Sequence, residues 1–405
     1  MSEAATTAEE VARTSYGRLL ALLAAPTRDI QSAEDALADA FERALANWPA
    51  SGVPDNPEGW LLTVARNRLR DLYKSSATRT STDLDDTVAA IGEATDPDAI
   101  PDKRLELLFV CAHPAIDSGI RTPLMLQTVL GFESAQIARA FAVPEPAMAQ
   151  RLVRAKKRIR LAGIPFVVPT RADMPGRLPA VLEAIYGAYS IDWQGVSGAT
   201  TRDSMSAEAL YLATTLAMLL GDEPEAFGLV ALIALSLSRA KAREGGIPLD
   251  EQETSLWDPD LIEQGERALR LAHTFNRIGR FQLEAAIQSV HCARRDGQPT
   301  DYHALKTLYE ALVIMSPTLG ARVSLAAITG ETDGPDAALA ALNQIDAPRF
   351  QPLWATKAHL LKQLGRAEDA RAAFAKAISL STDSATRERL QNDLSTVLPP
   401  ATKLQ

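Results

Sequence analysis

Residues 134–161 read SAQIARAFAVPEPAMAQRLVRAKKRIRL, and the class of fold turns on this stretch. A short apolar-periodic run, Ser134 to Phe141, meets Ala142-Val143-Pro144. A longer run then continues from Glu145 to about Leu161, where Gly163 and Pro165 close it. Proline fixes φ and removes a backbone donor, so it marks a helix boundary. A short helix, a tight turn and a long basic helix make a helix-turn-helix. Along the long helix Met148, Leu152, Ala155 and Ile159 form a core stripe. Gln150, Arg154 and Lys157 point away from it, flanked by Arg151 and Arg158. The first turns of such a helix enter the major groove, which brings Ala147, Gln150, Arg151 and Arg154 within reach of base edges. Lys156, Lys157, Arg158 and Arg160 then meet phosphates, which position a protein without specifying sequence. A basic amphipathic helix also suits a membrane surface or an acidic partner; the preceding turn favours DNA.

Upstream, residues 8–75 read as a separate helical module. One helix covers about Glu9 to Ala24, and a second runs from Ile30 to Asn47 with apolar positions at Ala33, Leu37, Phe41 and Leu45. The stretch PASGVPDNP interrupts it. Asn56 then reads as an N-cap with Pro57 at the first helical position, and this last helix reaches about Ser75. Its apolar stripe is Leu61, Val64, Ala65, Leu69 and Leu72, while Arg66, Asn67, Arg70 and Lys74 share another face. Guanidinium groups one turn apart can track a phosphate backbone, and Trp60 and Tyr73 offer planes on which unpaired bases stack. The bland alternative for an isolated helix is a solvated basic face over core aromatics.

Between the two modules, residues 76–102 are rich in Ser, Thr, Asp and Ala without a period, as in a flexible acidic linker. Structure is expected again from about Lys103, through a helix at Thr122 to Leu130 that stops at Gly131, to residue 162. From 177 to 398 the chain is a succession of amphipathic helices. There Trp354, Ala370, Phe374 and Ala377 have the spacing of a tetratricopeptide repeat around the turn Gly365-Arg366. Ala358 and Thr382 depart from that motif, and Tyr309, Leu312 and Pro317 match the second half of another copy. The expected fold class is all-α, two small helical modules followed by a helical-repeat tail.

Composition agrees with such a chain and excludes other classes. Its 405 residues carry a net charge of −9, yet Arg151 to Arg160 holds six basic residues and no acidic one, and Arg66 to Arg79 holds five against Asp71. Local stripes of this kind, not the total, make an electrostatic footprint for DNA. Two distant cysteines, Cys111 and Cys292, suit a reducing cytosol. The polar start MSEAATTAEE is not a signal peptide, and the apolar stretch Ala226 to Leu237 is too short for a span, so a cytoplasmic protein without membrane partners is expected. Cys111-Ala-His113 lacks the further ligands that a zinc site wants; His113 and Pro114 read instead as a corner between helices. Phosphate loops, nucleophile elbows and metalloprotease pairs are missing, so no metal, no cofactor and no enzymatic activity are expected.

Taken in order, these segments resemble extracytoplasmic-function sigma factors of the sigma-70 family, in the group with a tetratricopeptide-like C-terminal extension. AEDALADAFERALANWP and PDNPEGWLLTVARNRLRDLYKS resemble sigma region 2; LLFVCAHPAI, TPLMLQTVLGFESAQIARAFAVPEPAMAQRLVRAKKRI and IPFVVP resemble region 4; the tail opens RLPAVLEAIYGAY. The resemblance implies an alternative sigma factor that joins core RNA polymerase and directs promoter recognition. Glu34, Asp35, Asp39 and Phe41 fall where the family docks the clamp helices of the largest subunit. Ser51 to Glu58, with Asp55 and Asn56, falls on the loop that captures a flipped −10 base, and Trp60, Arg66, Asn67, Arg70 and Lys74 on the −10 helix that meets melted promoter DNA. Ala147, Gln150, Arg151, Arg154 and Lys157 fall on the helix that reads the double-stranded −35 element. Ala38 stands where relatives often have Gln, and SIDW after Tyr189 departs from their acidic-glycine-aromatic stretch. Helical repeats usually bind proteins, so the tail is expected to regulate the chain or to hold a protein partner. A stand-alone helix-turn-helix regulator with a helical sensor domain stays open as the alternative, although it would have no need of the first module.

Overall fold

The computed structural model describes residues 3–77, 100–141, 143–164, 166, 169–170, 172–193, 202–381 and 384–397. They are helical with no strand among them, and they divide into two compact units, Met1–Leu219 and Leu220–Gln405.

In the first unit α1 (Glu3–Thr27), α2 (Ile30–Ser51) and α3 (Pro57–Ala77) pack on one another. Their core is Leu19, Leu20, Leu23, Ile30, Ala33, Leu37, Ala40, Leu61, Ala65 and Leu69, all nearly inaccessible to water. Small residues at Ala33, Ala36, Ala40 and Ala44 let α2 approach its neighbours closely. Two expectations fail here. Pro49 does not end α2, which runs on to Ser51 and stops where Gly52 takes a positive φ of 84°. Leu45 is exposed, not core; the buried row of α2 continues through Ala44 to Trp48 instead. An i, i+4 reading from Phe41 drifts off the buried face, because 3.6 residues per turn carry that face back toward Ala44. Asn56 does cap α3, its Oδ1 accepting from the Gly59 N–H at 2.8 Å.

Then come α4 (Ile100–Cys111), α5 (Ser118–Thr128), α6 (Ser134–Ala140) and α7 (Glu145–Leu161). Helix α5 begins four residues before the expected Thr122, because the Asp117 carboxylate accepts from the Gly119 N–H at 3.1 Å and caps it there. It ends at Thr128, two residues before the expected Leu130, and the turn that follows closes at Gly131, whose φ of 71° only glycine adopts cheaply, with the Phe132 N–H donating to the Leu126 carbonyl. Phe141, Val143 and Pro144 make the turn between α6 and α7, and the Val143 N–H donates to the Ala138 carbonyl at 2.9 Å. Gln136 Oε1 accepts from the Glu133 N–H at 2.9 Å and closes the start of α6. Met148, Leu152, Ala155 and Ile159 pin α7 into the module. His113 turns the corner after α4: its Nδ1 accepts from the Ala115 N–H at 3.1 Å, and its carbonyl from the Ile116 N–H at 2.9 Å.

Most of α8 (Leu178–Trp193) is buried against α5 and α4, through Val181, Leu182, Ile185 and Ala188. On α9 (Arg202–Leu220) Glu208 pairs with Arg104 of α4. The compact unit therefore extends past residue 177, where the change of pattern along the chain places a domain boundary. The apolar character of α8 was legible; that α5 presents a face to receive it was not.

The second unit opens with α10 (Pro224–Leu237), buried along almost its whole length between α11 (Pro259–Thr274) and α12 (Arg280–Cys292). This is the apolar stretch read above as a buried helix. A Cβ at Gly228 would collide with the backbone N–H of Gln282, so glycine is what lets α10 and α12 meet. The remaining helices, α13 (Tyr302–Met315), α14 (Leu319–Asp333), α15 (Pro335–Asn343), α16 (Gln351–Gln363), α17 (Ala367–Leu380) and α18 (Ser384–Ser395), each pack on the next. Helices α16 and α17 form a hairpin about Gly365, whose φ is 69°. Ala358, Ala370, Phe374 and Ala377 are buried in it, and Trp354 packs against that cluster. Tyr309 and Leu312 lie on α13 and pack in a neighbouring cluster. No helix among the described residues is long and apolar enough to cross a membrane.

Candidate nucleic-acid interface

Helix α7 sets its expected reading face outward. Ala147, Gln150, Arg154 and Lys157 are exposed at intervals of three and four residues, with Val153 beside them. This row follows from anchoring: once the stripe from Met148 to Ile159 is buried, helical geometry leaves these side chains facing water. Arg151 behaves differently. It is half-buried, and its Nη2 donates to the Gly119 carbonyl at 3.0 Å, which ties α7 to the start of α5. Arg158 stays exposed while its Nε donates to the Ala115 carbonyl at 3.4 Å.

Lys156 and Arg160 correct the sequence reading, which left both for phosphates. Lys156 is 6% exposed, and its Nζ donates to both carboxylate oxygens of Glu34 on α2, at 2.6 and 2.7 Å. Arg160 Nη1 reaches Asp29 at 2.9 Å. The reason is positional. Lys156 lies four residues after Leu152 and eight after Met148, inside the buried stripe, so its residue type hid what its place in the helix declared. Burial lifts the Glu34 carboxyl above the usual carboxylate range, an effect that Lys156 partly offsets. Removing one member of a buried pair typically costs about 3–5 kcal/mol, because the other is left uncompensated. Arg160 is half exposed, so water screens its pair and most of the retention here falls to Lys156.

Asp29 is a junction that the sequence did not advertise. Its side chain caps α2, accepting from the Ser32 N–H at 3.3 Å and hydroxyl at 2.8 Å, and it also accepts from Tyr73 at the end of α3 and from Arg160. Burial alone would raise its pKa, but the hydrogen bonds from Ser32 and Arg160 win and hold it below the usual value. Nearby, burial raises the Tyr16 phenol, with Glu34 and Asp35 adding to the effect.

On α3 the expected residues are brought onto one helix but lean on their own module. Trp60 is half-buried with its ring edge-on to the buried Trp48, centroids 5.5 Å apart. Arg70 Nη1 donates to Asn67 Oδ1 at 3.1 Å, and burial lowers the Arg66 pKa. Tyr73 is half-buried, its pKa raised by burial and then by Asp29. Asp55, Asn56, Asn67 and Lys74 are exposed, with Asn56 committed to the cap. Glu58 takes hydrogen bonds from Ser15 and Arg18 and fixes the start of α3 on α1.

Of the expected polymerase-docking residues, Asp35 is exposed and receives Gln31 Nε2 at 3.2 Å. Asp39 pairs with Arg43 at 3.1 Å and with Arg68 of α3 at 3.7 Å, and Phe41 is half-buried. Glu34 lies under Lys156. Cys111 is wholly buried with its thiol pushed up to about 12, so it is no nucleophile, and no group of three His, Cys, Asp or Glu among the described residues is arranged to hold a metal ion.

The geometry can be set beside known proteins. The family model of sigma-70 region 2 matches residues 11–79, which hold α1, α2 and α3 apart from the first turns of α1. A family of unknown function, DUF6596, matches residues 177–273, beginning at the sequence-based boundary and crossing the structural division at Leu219. An uncharacterized protein of Rhizobium meliloti (strain 1021), R00370, is 36% identical over 374 residues, 88% of this chain and 88% of its own length. No solved structure matches. The chain belongs to one family with the Rhizobium protein and carries, in residues 11–79, a sigma-70 region 2.

Proposed function

We propose that this is an alternative sigma factor of the extracytoplasmic-function kind, in which α1–α3 dock core polymerase and meet the −10 element while α6 and α7 read the −35 element as a region 4. The observation that supports this best is the outward row Ala147, Gln150, Arg154 and Lys157, at the start and middle of the second helix of a helix-turn-helix. Gln and Arg give hydrogen bonds to adenine and guanine edges, and Lys157, farther along, suits a phosphate. Asp35, Asp39 and Glu34 on α2 are the groups for the clamp helices of the largest polymerase subunit. On α3, Trp60, Arg66, Arg70 and Lys74, behind the loop that holds Asp55 and Asn56, are the groups for strand separation. Each module alone reads few bases, so polymerase supplies the spacing that lets both act on one promoter. The bond-forming chemistry belongs to polymerase. The helical hairpins of the second unit are read as a tetratricopeptide-like surface for a regulatory protein partner.

The test is gel filtration of the chain with core polymerase, followed by footprinting of the complex on promoter fragments. Co-elution and protection at two sites one −10/−35 spacing apart are expected. Protection of a palindrome by the chain without polymerase would replace this reading with that of a stand-alone regulator.

A further inference from the structure

Residues 238–258, between α10 and α11, form the longest link of the second unit, with no α-helix but three short 3-10 turns, Lys241–Gly246, Leu249–Glu251 and Thr254–Leu256. This strap touches both ends of the unit. Its first turn meets α18 and its last meets the Ala293–Asp296 turn after α12, while the Asp250 carboxylate bears on Tyr302 of α13 and His359 of α16. The grip on it is the kind a receptor has on an extended peptide. Arg294 donates through Nη1 to the Leu249 carbonyl and through Nη2 to the Asp250 carbonyl at 3.1 Å. One side chain anchors the strap: Trp257, 1% exposed, has the guanidinium groups of Arg239 and Arg294 at 6.0 and 5.6 Å from its ring centre. Yet the strap fills its seat incompletely. Trp257 Nε1 and Gln252 Oε1 are buried without a hydrogen-bond partner among the described residues, so their desolvation is not recovered. Arg294 meets neutral carbonyls, where a carboxylate would give charge-assisted bonds about twice as strong. Burial, then Arg239 and Arg294, bring the neighbouring His291 imidazole down to about 4, as electropositive surroundings require.

We propose that the strap is an internal stand-in for a partner: the seat made by Arg239, Arg294 and the Ala293–Asp296 turn takes an extended acidic peptide of another protein, with an aromatic side chain in the place of Trp257. The proposal rests on the reading of the second unit as a surface for a protein partner, and gives that partner its chemistry. The strap is itself of the acidic type, with Glu244, Asp250, Glu251 and Glu253 exposed. A stand-in on the same chain competes at high effective concentration, so only a better-matched segment displaces it. A carboxylate for Arg294 supplies that better match. Leaving costs the helices little, because among the described residues from 241 to 258 only Ala242, Gln252 and Trp257 are buried. Since the strap also touches α18, its release frees the far end of the unit, which gives a partner's arrival a structural consequence.

The probe is a synthetic peptide of residues 247–258, added to the full-length protein. In excess over the parent it should displace the strap, so that amides of residues 241–257 exchange hydrogen faster while those of α10 and α12 keep their protection. Trp257→Ala removes the competing anchor, and that variant should bind the labelled peptide at least about tenfold more tightly than the parent does. A peptide carrying Trp257→Ala should bind neither protein, and one carrying Asp250→Asn, Glu251→Gln and Glu253→Gln should bind several-fold more weakly. Strap exchange in the parent that excess peptide leaves unchanged overturns the proposal, and this arm needs no substitution, so it decides even where Trp257→Ala unfolds. A folded Trp257→Ala with no gain in affinity also overturns it, and equal binding of the neutral peptide overturns the acidic class. Peptide seated as expected, with run-off transcription indifferent to it, would instead refute the regulatory role of the second unit and leave the seat standing.

Discussion

On α3 the arginines and aromatic rings lean back onto their own module: Trp60 rests on Trp48, Arg70 on Asn67, Tyr73 on Asp29. On α7 a comparable set divides in two, Gln150, Arg154 and Lys157 facing water and Lys156 sealed against Glu34. Both helices look alike as strings of basic residues. What separates them is how each is anchored, and anchoring decides whether losing a side chain disturbs the fold, DNA binding or both. A helix that reads a rigid duplex needs side chains already exposed. A helix that works where strands open can hold its rings half in the core, since a base must come to them.

The largest test of this contrast concerns the platform of α7. Helix α8 covers α5 and α4 with Leu178, Val181, Leu182 and Ile185. A fragment ending at residue 176 should lose on the order of 5 kcal/mol of stability, from several buried aliphatic side chains at about 1.5–3 kcal/mol each. A fragment ending at Leu219 should keep the first unit folded. Thermal melts followed by circular dichroism compare them, and equal melting points would show that α8 is dispensable to the α6–α7 pair.

On α3, Trp60→Ala should cost about 2–3 kcal/mol, below the usual loss for a fully buried aromatic because Trp60 is only half-buried. Urea denaturation measures it. A loss within about 0.5 kcal/mol would make the ring a free surface plane, and the contrast with α7 would vanish.

On α7, Arg154→Ala should leave stability within about 0.5 kcal/mol yet weaken promoter binding by about 1–3 kcal/mol if Arg154 meets a base edge. Lys157→Ala should do less, weakening binding to all duplexes alike and lowering the salt slope by about 0.9. Titrations of holoenzyme against matched and mismatched duplexes at several salt concentrations separate the two. A uniform loss from Arg154→Ala would move that residue to the phosphates.

How much of this was legible follows from particular residues. Pro144, Gly131 and Gly163 punctuate the second module as backbone chemistry requires, and the α7 stripe followed from periodicity alone. Likewise Gly365 and Phe374 marked the α16–α17 hairpin. Lys156 was misread because charge was taken as a sign of exposure, although its place lay within the stripe. Leu45 was misread for the opposite reason, an apolar residue assigned to a face that helical geometry had already left. Asp29, Trp48 and the seat of α8 on α5 could not be found at all, since each depends on segments distant in sequence. Periodicity reports which face is buried, not what buries it.

The central claim is that this chain directs polymerase to promoters, and run-off transcription with purified core polymerase on a small promoter library tests it most directly. Defined transcripts that require the chain, and that fall at least tenfold with Arg154→Ala, are the predicted result. Transcription that is indifferent to the chain, under conditions where the two form a complex, would contradict it.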